Sequence, residues 1–150
     1  MLTILALTSL AFHGVWWSGN LYEAMVIAPA WLKSWRRGQA PARIDPRIYY
    51  VVAGPATPVA AAAAGVAYFQ SFSAGLWLAA AVAASFIAVG LTGYLVATIN
   101  LELFFRDPPP PATRGFALMR RWAALNSLRL LLVTVVLGAT ARACWELAHF

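Results

Sequence analysis

Charged residues are scarce in this sequence: they form 11% of its 150 residues, whereas soluble globular domains average about 25%. Hydrophobic residues form 62% of the chain, and the mean hydropathy is +0.71. This balance excludes an ordinary soluble core and predicts a membrane protein of one domain, residues 1–150. The net charge of +6 would suggest nucleic acid as the partner of a soluble protein. Here the basic residues cluster between apolar segments, so we expect the lipid bilayer as partner and no nucleic acid.

Residues for metal and cofactor chemistry are equally few. Cys144 is the single cysteine, which excludes an intrachain disulfide. The sequence has no Gly-rich phosphate loop, no CxxC pair and no nucleophile elbow. His13 is the only histidine in the middle of an apolar segment, so the chain cannot supply two such ligands to a haem. Because about 15 Å of helix separates His13 from Glu23, they cannot share one metal ion. We predict neither a metal site nor a cofactor.

Four apolar segments are long enough to cross a membrane as helices, which takes about 20 residues. They cover residues 2–27, 48–69, 74–99 and 122–147. The first begins without a basic stretch and continues past the length of a signal peptide, so we interpret it as a retained helix. The predicted fold class is all-α, a transmembrane four-helix bundle.

The basic residues predict the orientation of this bundle. Nine of the eleven Lys and Arg residues lie in two connections, residues 28–47 and 100–121. These connections follow the first and third segments, so they lie on one side of the membrane, which the positive-inside rule makes cytoplasmic. We therefore expect a multi-pass protein of the cell inner membrane with both termini on the outer side. Small residues on the second and third segments leave room for a homodimer or a membrane-complex partner.

Polar residues of the first segment lie at membrane depth, where each is costly and indicates a site. On a helix His13 and Asn20 point within about 20° of each other, and Glu23 lies about 60° further round. The three side chains form one stripe from the middle of the membrane to its cytoplasmic face. Trp16 lies between them, at a depth unusual for tryptophan, and is a candidate wall of a pocket.

The fourth segment begins with RRWAALNSLRLLL, which places Trp122, Asn126 and Arg129 on one helix face at spacing i, i+4 and i+7. Arg129 lies about two turns inside the segment. Its side chain either extends back to the cytoplasmic surface or pairs with a buried carboxylate, for which Glu23 and Glu102 are the candidates.

Asn100, at the end of the third segment, adds a polar group at the same depth. Three helices thus bring polar side chains to the cytoplasmic half of the bundle. Two interpretations stay open. A Glu23–Arg129 ion pair only locks the helices together, or a functional pocket is built around that pair. A transporter or proton path ranks last, because the polar residues stop halfway across the membrane.

Three short stretches and four spans in one small chain resemble a known family. The stretches are NLYEAMVIAPAW at the end of the first segment, INLEL after the third and RRWAALNSLRLLL at the start of the fourth. Together they resemble the anthrone oxygenase-like family of small integral membrane proteins. Its members often carry a W-x-x-x-H-x-x-R pattern. Trp122 and Arg129 fit this pattern, whereas Asn126 stands at the position of the histidine.

The resemblance implies oxidation of an anthrone to an anthraquinone by O₂ without a cofactor. Glu23 would remove a proton as general base. Arg129, with Asn126 and Asn20, would stabilise the enolate oxygen. The residues that would bind this small lipophilic aromatic substrate are Asn20, Trp16, Trp122, Asn100 and His13. The alternative function is a non-catalytic accessory or structural subunit, whose buried polar groups lock the bundle.

Overall fold

The computed structural model describes residues 1–41 and 56–149, and within these ranges all regular structure is helical. The first helix comprises α1 (Leu2–Tyr22), a π turn (Glu23–Ile27) and α2 (Ala28–Arg36), and the second is α3 (Ala56–Gln70). The third comprises α4 (Phe72–Leu95), a second π turn (Val96–Asn100) and α5 (Leu101–Leu103). The fourth is α6 (Ala112–Ala148). The π turns join α1 to α2 and α4 to α5, so the described residues form four helices and no strand. The predicted all-α class is confirmed.

Two of the helices are long and apolar enough to cross a membrane, by length and composition. They are Phe72–Leu103 and Ala112–Ala148, and Ala56–Ala67 is a shorter apolar helix. Only a third of the most apolar window of either long helix is buried inside the bundle, so most of each apolar surface faces outward. Residues 48–55 of the second predicted segment lie outside the described residues.

Two helix boundaries differ from the prediction. The first helix continues past residue 27 to Arg36, and α6 begins at Ala112 rather than at residue 122. Both extensions are amphipathic turns that carry charge, which a search for uninterrupted apolar segments does not detect. In α2, for example, Trp31 and Trp35 are buried while Lys33 is exposed.

Proline at position 29 does not end the first helix, because a π turn precedes it. Proline lacks a backbone N–H and its ring clashes with the carbonyl four residues earlier. The backbone N–H of Ala28 donates to the carbonyl of Glu23, five residues earlier, which widens this turn. Pro29 then occupies the first turn of α2, where a backbone donor is not needed.

The helices pack as a bundle in which α1 and α4 each contact both α3 and α6. Buried positions on α1 recur every three or four residues, from Leu2 and Ala6 to Trp16. The surface is apolar, with Phe86 62% and Leu131 61% exposed. An apolar surface around a core that contains charged residues is the reverse of the pattern in water-soluble proteins.

Seven of the eight exposed Lys and Arg residues of the described chain lie at one end of the bundle, here called the basic end, and Arg142 lies at the other end. The basic end carries α2, the loop at residues 104–111 and the first turns of α6. Its cations are Lys33, Arg36, Arg37, Arg106, Arg114, Arg120 and Arg121. At this end Arg36 lies 5.8 Å from the ring centroid of Phe116, and Arg121 lies 5.6 Å from that of Tyr94.

Candidate functional site

A buried ion pair joins α1 to α6. The guanidinium of Arg129 donates a hydrogen bond to the carboxylate of Glu23 and another to Oδ1 of Asn126. A third donor of Arg129 lies 3.4 Å from Oγ1 of Thr92 on α4. Arg129 is 2% exposed and Glu23 is 6% exposed. Three helices therefore meet at two opposite charges that are shielded from the surroundings.

Glu23, and not Glu102, is the carboxylate that Arg129 reaches. Glu102 instead accepts from Arg114, whose Nη2 lies 2.8 Å from Oε2, and Arg106 lies 3.8 Å away. Those two arginines are exposed at the basic end. The sequence left both carboxylates as candidates, because both lie toward the same side of the bundle.

The local backbone at Glu23 is unusual, since this residue begins the π turn of the first helix. The second π turn, Val96–Asn100, lies at a corresponding depth, because α1 and α4 run in parallel. His13 contacts Ser85 before both π turns, and Trp31 contacts Phe104 after them. Single π turns within α-helices occur frequently at functional sites.

Three polar atoms on the buried faces of the two helices that carry the ion pair have no hydrogen-bond partner within the described part of the chain. They are Nε1 of Trp16, Oδ1 of Asn20 and Nδ2 of Asn126. Each such buried group costs about 1–3 kcal/mol when it stays unpaired. Where an interior has space for a polar molecule, these atoms are the points that would bind it.

His13 lies one layer further from the basic end and has its own partners. Its Nδ1 lies 2.8 Å from the carbonyl oxygen of Ser9, which only accepts, so Nδ1 carries the proton. Its Nε2 then accepts from the hydroxyl of Ser85 at 3.0 Å. The ring centroid of His13 is 6.2 Å from that of Trp16. His13 is thus satisfied by serines and lies apart from Glu23.

Trp122 and Asn100 lie in a third layer, closer to the basic end. The ring of Trp122 packs 6.2 Å from Trp31 and 6.1 Å from Phe104, centroid to centroid. Asn100 follows Ile99, which packs in the same aromatic cluster. The ring of Trp122 therefore packs against other aromatic rings of the protein. Within the described residues, Oδ1 of Asn100 has no hydrogen-bond partner.

All eight predicted site residues are buried, but the structure divides them among three layers. The middle layer holds Trp16, Asn20, Glu23, Asn126 and Arg129, and it is the candidate site. Sequence reasoning missed Thr92, whose only signal was a hydroxyl in an apolar segment. In the described ranges, no group of three His, Cys, Asp or Glu side chains is placed to hold a metal ion.

Comparisons with known proteins found no match. No family model matches the sequence, and no curated protein or solved structure matches the chain.

Proposed function

We propose that this chain is a multi-pass inner-membrane protein that binds a small lipophilic aromatic molecule in the middle layer, beside the Glu23–Arg129 pair. Two helices long and apolar enough to span a membrane, an apolar surface and the basic end support a membrane location. In this arrangement four helices span the bilayer, the basic end faces the cytoplasm and both termini face outward.

The observation that carries the binding proposal is the set of unpartnered polar atoms beside the ion pair. A pair that only locked helices together would be best surrounded by groups that satisfy one another. Here Trp16, Asn20 and Asn126 each keep one buried atom without a partner in the described chain. A bound molecule with an aromatic body and a polar group would complete these bonds, since binding sites combine apolar walls with few polar groups.

The reaction proposed for this site is the one that the family resemblance implies. Glu23 takes a proton from the CH₂ group of an anthrone, and Arg129 stabilises the resulting enolate oxygen. The carbanion carbon bonds to O₂, and the resulting peroxide anion takes the proton back from Glu23 to form a hydroperoxide. Loss of water from this hydroperoxide leaves a ketone. The balance is CH₂ + O₂ → C=O + H₂O, with O₂ as the oxidant.

A second candidate function is supported by the direct contact between Arg129 and Glu23. In this alternative the chain is a non-catalytic accessory subunit, and the pair fixes the relative positions of α1, α4 and α6. The bonds from Arg129 to Asn126 and Thr92 fit this role equally well. The two functions differ in what they expect of a variant without the Glu23 charge.

The test compares two Glu→Gln variants of the full chain in lipid nanodiscs, with anthrone as probe and an oxygen electrode as readout. Glu23→Gln keeps the shape of the side chain, so the enzyme proposal expects a folded protein with at least a 100-fold loss of O₂ uptake. Glu146→Gln is the matched control, because Glu146 pairs with Arg142 at the other end. Full activity of folded Glu23→Gln would exclude Glu23 as the base, and no uptake by the wild type would favour the accessory role.

The membrane orientation is tested separately by reporter fusions at each terminus. Both termini are expected on the outer side, because the basic connections follow the first and third helices. A C-terminus on the cytoplasmic side would contradict the four-span arrangement.

A further inference from the structure

We infer that the middle layer selects a hydroxyl group, such as a phenol or an enol, over an ether on the same aromatic skeleton, and that Asn20 sets this specificity. The inference rests on the proposed binding function and adds the chemical class of the ligand's polar group. It is argued from three buried atoms that have no hydrogen-bond partner in the described chain, namely Nε1 of Trp16, Oδ1 of Asn20 and Nδ2 of Asn126.

The orientation of the Asn20 amide is fixed by its partner. The Nδ2 group lies 2.8 Å from the backbone carbonyl of Trp16. Because a carbonyl only accepts hydrogen bonds, the atom facing it must be the amide nitrogen. The Oδ1 atom therefore points away, buried and without a donor from the described residues. Asn20 thus presents an acceptor to the site.

The Asn126 amide is fixed in the opposite sense. Its Oδ1 accepts from the guanidinium of Arg129, and a guanidinium only donates. The free atom is therefore Nδ2, a donor that is also buried and unpartnered in the described chain. Trp16 contributes a second free donor, because an indole Nε1–H cannot accept. The unused set is one acceptor and two donors.

The contacts between helices place residue Asn20 between the levels of Trp16 and Asn126 along the bundle axis. Trp16 packs against Val133, and Glu23 contacts Arg129, which lies one turn from Val133 on α6. Asn20 lies between Trp16 and Glu23 along the first helix, so each of these two residues is about 5 Å away along the helix axis. Asn126, bonded to Arg129, belongs to the layer of Glu23.

A hydroxyl group can satisfy an acceptor and a donor at once, because its single oxygen both donates and accepts hydrogen bonds. It donates to Oδ1 of Asn20 and accepts from Trp16 or Asn126. An ether only accepts, so it leaves the buried oxygen of Asn20 without a donor. Loss of one such bond weakens binding about tenfold.

The experiment measures dissociation constants of 2-naphthol and 2-methoxynaphthalene for the full chain in nanodiscs, with partition into empty nanodiscs subtracted. The two probes share a skeleton and differ in the hydroxyl proton. The wild type is expected to bind 2-naphthol about tenfold more tightly. Saturable binding of both probes with equal constants would overturn the hydroxyl inference and leave the binding function standing. Absence of saturable binding by either probe would overturn the binding function itself, and the inference with it.

A variant assigns the preference to Asn20. Asn20→Leu has a similar volume without an acceptor, so it is expected to bind 2-naphthol as weakly as the ether, with ether binding unchanged. The control is Thr140→Val, a buried polar residue of α6 bonded to the carbonyl of Val136, about three turns from Arg129. An unchanged preference in folded Asn20→Leu overturns the role of Asn20, and the wild-type comparison tests the hydroxyl preference independently of how the variant folds.

Discussion

Replacing Arg129 with methionine is expected to destabilise the bundle strongly. The change removes the donors to Glu23, Asn126 and Thr92 while it keeps most of the side-chain volume. Glu23 is then left as a carboxylate without its counter-ion, at a position that is 6% exposed. Breaking a buried ion pair by removing one partner costs about 3–5 kcal/mol of unfolding free energy.

The Arg142–Glu146 pair supplies the matched comparison on the same helix. Its side chains are 50% and 16% exposed, and such pairs contribute about 0–1 kcal/mol. Arg142→Met should therefore change the free energy of unfolding by less than about 1 kcal/mol. The difference between the two Arg→Met variants isolates the effect of burial.

The assay is reversible unfolding in mixed detergent micelles, followed by circular dichroism at 222 nm. Glu23→Gln is measured alone and together with Arg129→Met. Because the double variant leaves no unpaired charge, it should cost about 2 kcal/mol less than the sum of the single changes. The reasoning is refuted if Arg129→Met costs no more than Arg142→Met, or if the two changes in the pair add without coupling.

Two further predictions concern the packing of Gly115 and the hydrogen bond between His13 and Ser85. Gly115→Ala should cost about 1–3 kcal/mol in the same unfolding assay, because the added methyl group would collide with the ring of Trp35. Gly93→Ala, where a methyl group meets nothing within 4 Å, should change stability by less than about 1 kcal/mol, and an equal cost at both glycines would contradict this packing. His13→Leu should lower the free energy of unfolding by about 1–3 kcal/mol, since the hydroxyl of Ser85 loses its acceptor. A variant as stable as the wild type would show that this bond contributes nothing.

The sequence predicted the helical class and the buried face of α6 well, because both follow from spacing within a single helix. Trp122, Asn126 and Arg129 are all buried, as the i, i+4, i+7 pattern indicates. The sequence also limited the partner of Arg129 to two carboxylates, Glu23 and Glu102, because both were expected on the same side of the bundle. The choice between them depends on contacts between helices, which spacing along one helix does not contain.

The helix ends and the division into layers were not predictable in the same way. The charged turns of α2 and of the start of α6 interrupt the hydropathy signal, although each has a buried face. The sequence predicted His13 on one stripe with Asn20 and Glu23, and all three are buried. The hydroxyl of Ser85 on α4 donates to Nε2 of His13, and spacing along one helix does not contain this contact between helices. The substrate-binding role that the resemblance implies for Trp122 stays a prediction, and its ring packs against Trp31 and Phe104.

The central claim is that the atoms left unpaired beside the Glu23–Arg129 pair bind a small polar group of a lipophilic molecule. The most direct measurement is a high-resolution crystal structure of the full chain grown in a lipid mesophase with 2-naphthol. The account predicts density for the ring in the middle layer, with its oxygen within 3.2 Å, roughly a hydrogen-bond distance, of Oδ1 of Asn20. A dry interface in which Asn20 and Asn126 bond to each other, with no space for the ring, would contradict it.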